Sequence, residues 1–129
     1  MLVLDTCAII FDSLAPERLS TAAGTAIAAA FSAGELCCSD ISLWELAMLV
    51  DRGRLDPGTD VRSYIDLVLQ ARDLDVLAIS PEIATLSASL ALHKDPADRI
   101  IAATAISHSA NLVTSDRRLI AAPGVPTLW

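Results

Sequence analysis

Short apolar runs alternate along this chain with stretches whose apolar positions follow a helical period. Leu2-Val3-Leu4 is apolar without helical spacing and stops at Asp5, which predicts a buried strand. Residues 20–33 are rich in Ala and predict a helix, with Gly34 placed to end it in a left-handed turn. Residues 36–38 form a second short apolar run. Ser42 is placed to cap a helix reaching about Arg52, with Glu45 three residues on in a capping box and Gly53 as its stop. Val61, Tyr64, Ile65, Val68 and Leu69 recur at i, i+3, i+4, i+7 and i+8, an amphipathic helix. Residues 74–79 predict a third strand, and Ser80-Pro81 opens the next helix as cap and first residue.

After Pro96, residues 97–108 are apolar nearly all round, as befits a helix inside a core. Residues 111–114 predict a fourth strand, 117–121 a short helix and 126–129 an edge strand. No element is assigned between Asp5 and Ser20. Strands alternating with helices predict one α/β domain over residues 1–129, a three-layer α/β/α sandwich around a mostly parallel sheet.

Composition narrows the function. Hydrophobic residues make up 53% of the 129, and the mean hydropathy is +0.53. Ala contributes to that value, but the excess predicts an apolar face covered by a partner, and so a homodimer. The formal net charge is −7, which argues against coating nucleic acid through long-range attraction. A nuclease stays open, because metal ions and a few arginines can hold a scissile phosphate. Cys7, Cys37 and Cys38 are odd in number and lack C-x-x-C spacing, so they read as reduced thiols of a cytoplasmic protein. The opening Met-Leu-Val-Leu-Asp has no basic region, unlike a signal peptide. Residues 21–34 are too few to span a bilayer, so no membrane association is expected.

Four carboxylates carry the candidate chemistry: Asp5, Glu45, Asp98 and Asp116. Asp5 and Asp116 each follow an apolar run, and Asp98 heads an apolar helix. In an open α/β sheet, strand C-termini and helix N-termini meet at one edge, where ligands bind. Each acid also has a structural alternative. Glu45 could pair with Ser42 in the capping box, Asp98 could answer the helix dipole, and Asp116 could be an N-cap. Asp5 has the weakest such account, since a charge closing a buried strand needs a partner.

Two carboxylates about 5 Å apart repel by roughly 3 kcal/mol at an effective dielectric of about 20. Several such pairs weigh heavily against a domain stability of about 5–15 kcal/mol. A divalent cation turns that repulsion into ligand binding, and an oxygen-only set suits Mg²⁺ or Mn²⁺. Supporting groups lie nearby. Thr6 and Ser115 offer hydroxyls to orient a carboxylate, and Arg99 could meet a phosphate or an acid. Asp95 reads as a helix cap, and His93 and His108 read as structural. Arg52-Gly53-Arg54 and Arg117-Arg118 could flank a phosphate path.

These residues carry a resemblance. Leu2-Val3-Leu4-Asp5-Thr6 resembles the opening motif of PIN-domain nucleases, and Ser42-Leu43-Trp44-Glu45-Leu46-Ala47 with Arg52-Gly53-Arg54-Leu55 resembles their second. His93-Lys94-Asp95-Pro96-Ala97-Asp98-Arg99-Ile100-Ile101-Ala102-Ala103 resembles the third, and Leu112-Val113-Thr114-Ser115-Asp116 the fourth. Order and spacing agree over essentially the whole chain, and the second and third motifs resemble the VapC toxin branch. The resemblance implies a PIN-like sandwich with Asp5, Glu45, Asp98 and Asp116 at the acidic positions. It implies a Mg²⁺- or Mn²⁺-dependent endoribonuclease that cleaves RNA with metal-activated water. It also implies a toxin homodimer, with a small antitoxin protein blocking the site. Cys7 departs from the pattern, since relatives often carry His there.

Other folds fit less well. A haloacid dehalogenase-type phosphatase needs a second Asp where Cys7 stands. A receiver domain needs a lysine that Lys94 does not supply, and a dinucleotide binder needs glycines that Thr6-Cys7-Ala8 lacks. From another class, the alternative is a catalytically inactive binding or regulatory module on the same fold.

Overall fold

The structure is a computed structural model that describes all residues from Met1 to Trp129. Strands β1 (Leu2–Leu4), β2 (Leu36–Ser39), β3 (Asp75–Leu77), β4 (Asn111–Val113) and β5 (Thr127–Leu128) form one sheet. Their order is β3-β2-β1-β4-β5, and every pairing is parallel. Seven helices connect and cover the strands: α1 (Thr6–Leu14), α2 (Thr21–Ala33), α3 (Asp40–Asp51), α4 (Val61–Ala71), α5 (Pro81–Ser89), α6 (Pro96–Ser107) and α7 (Arg117–Ala121). The result is the expected three-layer sandwich, with a sheet that is wholly parallel.

Strand parity divides the core in two. Leu2, Leu4, Cys38 and Val113 face Ala8, Ile9, Ile27 and Leu46 on one side of the sheet. Val3, Cys37 and Leu112 face Ile101, Ala102 and Ala105 of α6 on the other. Successive side chains of a strand point to opposite faces, so both faces of β1 are buried and its sequence reads as an unbroken apolar run. The adjacent Cys37 and Cys38 serve different cores for the same reason, and all three cysteines are free. No helix is long and apolar enough to cross a membrane.

The structure differs from the sequence-based expectation at two places that matter for the site. First, residues 6–14 form α1, capped by Asp5, whose side chain accepts from the Thr6 N–H. Thr6, Ile9 and Ile10 are β-branched and poor helix formers. Burial of Ala8 and Ile9 in the core holds the helix instead. Second, Ser39 rather than Ser42 caps α3, because β2 runs on to Ser39 and the helix starts at Asp40. The capping box with Glu45 therefore does not form. Ser42 lies in the first turn, fully buried, and Glu45 stands beyond it on the wall of a cleft.

Candidate active site

The parallel register sets Leu4 beside Cys38 and Val113. The chain therefore leaves these three strands at one edge, and the next residues out are Asp5, Ser39 and Thr114. The N-termini of α1, α6 and α7 open onto the same edge. Asp5 caps α1, Asp98 lies in the first turn of α6, and Asp116 caps α7. Unpaired N–H groups at helix N-termini favour anions, which eases the placement of acids here. A cleft of about 290 Å³ results, lined by Asp5, Thr6, Cys7, Glu45, Asp95, Asp98, Ser115, Asp116 and Arg118, with Ile10 and Leu49.

Asp5 is held at both oxygens. Oδ1 accepts the Thr6 N–H at 2.8 Å, and Oδ2 accepts the Thr114 hydroxyl at 2.6 Å and the Cys7 thiol at 3.3 Å. Burial raises the Asp5 pKa; the hydrogen bonds from Thr114, Cys7 and Thr6 pull against it, and the nearby Asp116 adds to the rise. Cys7 is pushed up to about 11, chiefly by burial and then by Asp5, so it stays a thiol and a donor. The Thr114 hydroxyl also accepts the Asp116 N–H at 3.0 Å. One buried threonine thus joins two of the four acids.

Glu45 reaches the cleft from α3. The Thr6 hydroxyl donates to Glu45 Oε1 at 2.6 Å and lies 3.0 Å from the buried Ser42 hydroxyl. Burial pushes Glu45 up to about 7; Thr6 opposes that shift, while Asp5, Asp98 and Asp95 reinforce it.

Asp98 is raised as well. Burial is the main cause, offset by a hydrogen bond with His93 and reinforced by Asp5, Asp95 and Asp116. His93 Nε2 lies 2.6 Å from Asp98 Oδ2. Asp116 behaves differently. Burial alone would raise it, but hydrogen bonds from the Arg118 side chain and backbone carry it below the ordinary carboxylate value. Arg118 Nη2 lies 3.2 Å from Asp116 Oδ2 and 3.6 Å from Asp98 Oδ2, with its side chain 61% exposed.

The structure brings Asp5, Glu45, Asp98 and Asp116 into this one cleft, with Thr6 and Ser115 on its wall. It departs from the sequence reading at three side chains, Arg99, Ser115 and His93. Arg99 meets no acid and has no donor left for a phosphate; its guanidinium donates to the carbonyls of Ser87, Ala88, Leu90, Leu92 and His93. Adjacent helical residues do not share a face, so Arg99 turns away from Asp98. Thr114, not Ser115, is the hydroxyl that orients Asp5; Ser115 Oγ lies 3.6 Å from Cys7 Sγ instead. His93, read as structural, points at Asp98, and Arg118 is the cation that reaches the acids. The signal for His93 was its place just before the Asp95-Pro96 helix start, which folds the segment back over Asp98. Asp95 caps α6 as expected, accepting from the Ala97 and Asp98 N–H groups.

The donor chemistry fits a divalent ion. Five carboxylates, the four above and Asp95, face one exposed arginine, so the fold leaves them without enough opposite charge. Donor atoms of His93, Asp98 and Asp116 lie within 4.8 Å of one another. A set dominated by carboxylate oxygens suits a hard cation. Such a site can neutralise charge on a phosphoryl group and place a water beside it.

Comparison with known proteins finds relatives along most of the chain. Residues 2–125 match the PIN domain family. The chain is 39% identical over 119 residues to Ribonuclease VapC22 of Mycobacterium tuberculosis, covering 91% of this chain and 88% of that protein. A VapBC2 complex from Rickettsia felis, bound to a promoter DNA fragment, shares the fold with a TM-score of 0.75 at 19% identity, over 98% of this chain and 96% of the other. A toxin–antitoxin complex from Klebsiella pneumoniae aligns with a TM-score of 0.62 at 20% identity, over 100% and 97%.

Proposed function

The chain belongs to the PIN-domain family, and on that footing we propose that it is a metal-dependent endoribonuclease, the toxin of a toxin–antitoxin pair. One observation supports this above the rest: four carboxylates from four distant segments line one cleft against a single exposed arginine. Asp5, Asp98 and Asp116 would hold Mg²⁺ or Mn²⁺, with Glu45 completing the acidic wall. The ion, when bound, supplies an activated water and stabilises charge on the phosphoryl oxygen.

The chain's own residues do the rest. Thr114 fixes Asp5 and, through the Asp116 N–H, the start of α7. Thr6 fixes Oε1 of Glu45 and leaves Oε2 as the atom that takes up or releases a proton, with its pKa at about 7. Arg118, mostly exposed at the rim, is the cation placed to meet a phosphate of the incoming RNA strand. Ser115 lines the cleft beside Cys7.

The protein works in the cytoplasm, with a small antitoxin covering the cleft; the similar Klebsiella structure is itself a toxin–antitoxin complex. It also forms a homodimer, supported by apolar side chains left open: Trp44 is 54% and Ile79 42% exposed. Sequencing RNA ends after brief expression tests the central reading, with Asp5→Asn as control. New 5′-phosphate ends are expected only with the unaltered chain. Ends that persist in Asp5→Asn, or cutting by the purified protein that ignores divalent ions, would overturn it. Sedimentation should show a concentration-dependent dimer.

A further inference from the structure

Position 93 sets an imidazole nitrogen against Asp98, one of the cleft's acids. His93 lies between α5 and α6, and its Nε2 stands 2.6 Å from Asp98 Oδ2. Both side chains are well covered, at 19% and 11% exposed. Nε2 also belongs to the group of donor atoms, with those of Asp98 and Asp116, that lie within 4.8 Å of one another. Neighbouring ligands on a six-coordinate ion with bonds of about 2.1 Å sit about 3 Å apart. The spacing between Nε2 and Oδ2 is already close to that of two adjacent ligands.

Two further observations bear on the ring. Arg99 donates to the His93 carbonyl at 3.1 Å and to the Leu92 carbonyl at 2.7 Å, with other bonds to Ser87 and Leu90. The guanidinium therefore ties down the segment that carries His93. The other ring nitrogen, Nδ1, is buried with no hydrogen-bond partner. With Asp98 ionised, the ring proton sits on Nε2 and bonds the carboxylate; an ion at Nε2 would take that place and send the proton to Nδ1, at the cost of an N–H without an acceptor.

We infer that His93 is a nitrogen ligand of the ion held in this cleft and biases the site toward Mn²⁺ over Mg²⁺. The inference rests on the metal-dependent reading above and adds the ion's identity and a fifth donor residue to it. Mg²⁺ is hard, takes oxygen ligands and tolerates little distortion. Mn²⁺ accepts the same carboxylates and takes an imidazole more readily than Mg²⁺ does. One imidazole among carboxylates therefore handicaps Mg²⁺ more than Mn²⁺.

Pulsed electron paramagnetic resonance on the full chain loaded with Mn²⁺ tests this without any assay of cleavage. The spectrum should show hyperfine coupling from one imidazole nitrogen, and labelling histidine with the heavy nitrogen isotope should change it. Only His93 and His108 can give that signal, since the chain has 2 histidines. His93→Asn should abolish it and His108→Asn should keep it. Calorimetry should show the ratio of Mn²⁺ to Mg²⁺ affinity falling about tenfold in His93→Asn, the low end of what loss of even an outer partner costs a metal site. Bound Mn²⁺ with no nitrogen coupling overturns the inference and leaves the carboxylate site standing. Coupling that survives His93→Asn overturns it too, and failure to bind Mn²⁺ at all removes both readings.

Discussion

The two ends of α1 hold aspartates in opposite circumstances. Near its C-terminus, Asp12 receives both Arg72 Nε at 2.8 Å and Arg72 Nη2 at 2.7 Å, and its side chain is 8% exposed. Beside it, Ser13 and Tyr64 share a hydrogen bond in an apolar cleft of about 410 Å³. At its N-terminus, Asp5 is as deeply buried but has no arginine within salt-bridge reach; hydroxyl, thiol and backbone donors hold it in a cleft with four other acids. One helix thus carries a charge whose balance is built in and a charge whose balance must come from outside. A buried carboxylate with its own guanidinium is finished structure. A group of them sharing a single exposed guanidinium is a binding site waiting for a cation.

The largest effect should come from unbalancing that difference. Asp98→Asn is expected to lower metal-dependent RNA cleavage by at least about a thousandfold. In chelator the same variant should melt no lower than the unaltered chain, because one of several clustered charges has gone. A large loss of stability there would make Asp98 a structural anion like Asp12, and the contrast would collapse. Arg72→Met probes the other end. It strands Asp12 in a covered position and should cost about 2 kcal/mol in urea unfolding, while cleavage by the folded protein stays unchanged.

Thr114→Val keeps shape and removes a hydroxyl that serves both Asp5 and the Asp116 N–H. We expect cleavage to fall about tenfold and stability by about 1 kcal/mol, read from initial rates and melts of one preparation. The smallest effect is a pH dependence. Glu45 sits at about 7 against an ordinary 4.5, and Asp5 and Asp98 are raised too, so the folded chain binds protons that the unfolded chain has released. Stability in chelator should therefore fall as pH rises from about 4.5 through 7, by several degrees in melting temperature. Divalent ions should flatten that slope. Asp116, lowered by Arg118, works the other way, with stability lost only as pH falls through its depressed pKa. A melting temperature that rises with pH between 5 and 7 in chelator would contradict the assigned imbalance.

Much of the architecture was legible in the chain. Five strands, their order along the sequence and six of the seven helices follow from apolar runs, helical periods and turn residues. Helix α1 escaped because its Thr and Ile residues lack helical preference, and only packing against β1 and α3 makes it form. The convergence of four acids also followed from the sequence, since a parallel sheet delivers its strand ends to one edge. Their neighbours were less readable. Ser115 looked apt because it adjoins Asp116, yet the hydroxyl on Asp5 comes from Thr114, one residue earlier. Arg99 adjoins Asp98 in sequence, but the rotation between successive helical residues carries it to the loop carbonyls.

Local chemistry thus determined the kinds of element, their succession and the edge where carboxylates would gather, because hydrophobic period and turn preference act over a few residues. Tertiary structure alone decided which of those carboxylates would find a counter-charge. Asp12 meets Arg72 from 60 residues away, and His93 meets Asp98 only because its segment folds back over α6. Electrostatic pairing depends on distance through space, and in a folded chain that distance is set by packing rather than by position along the backbone.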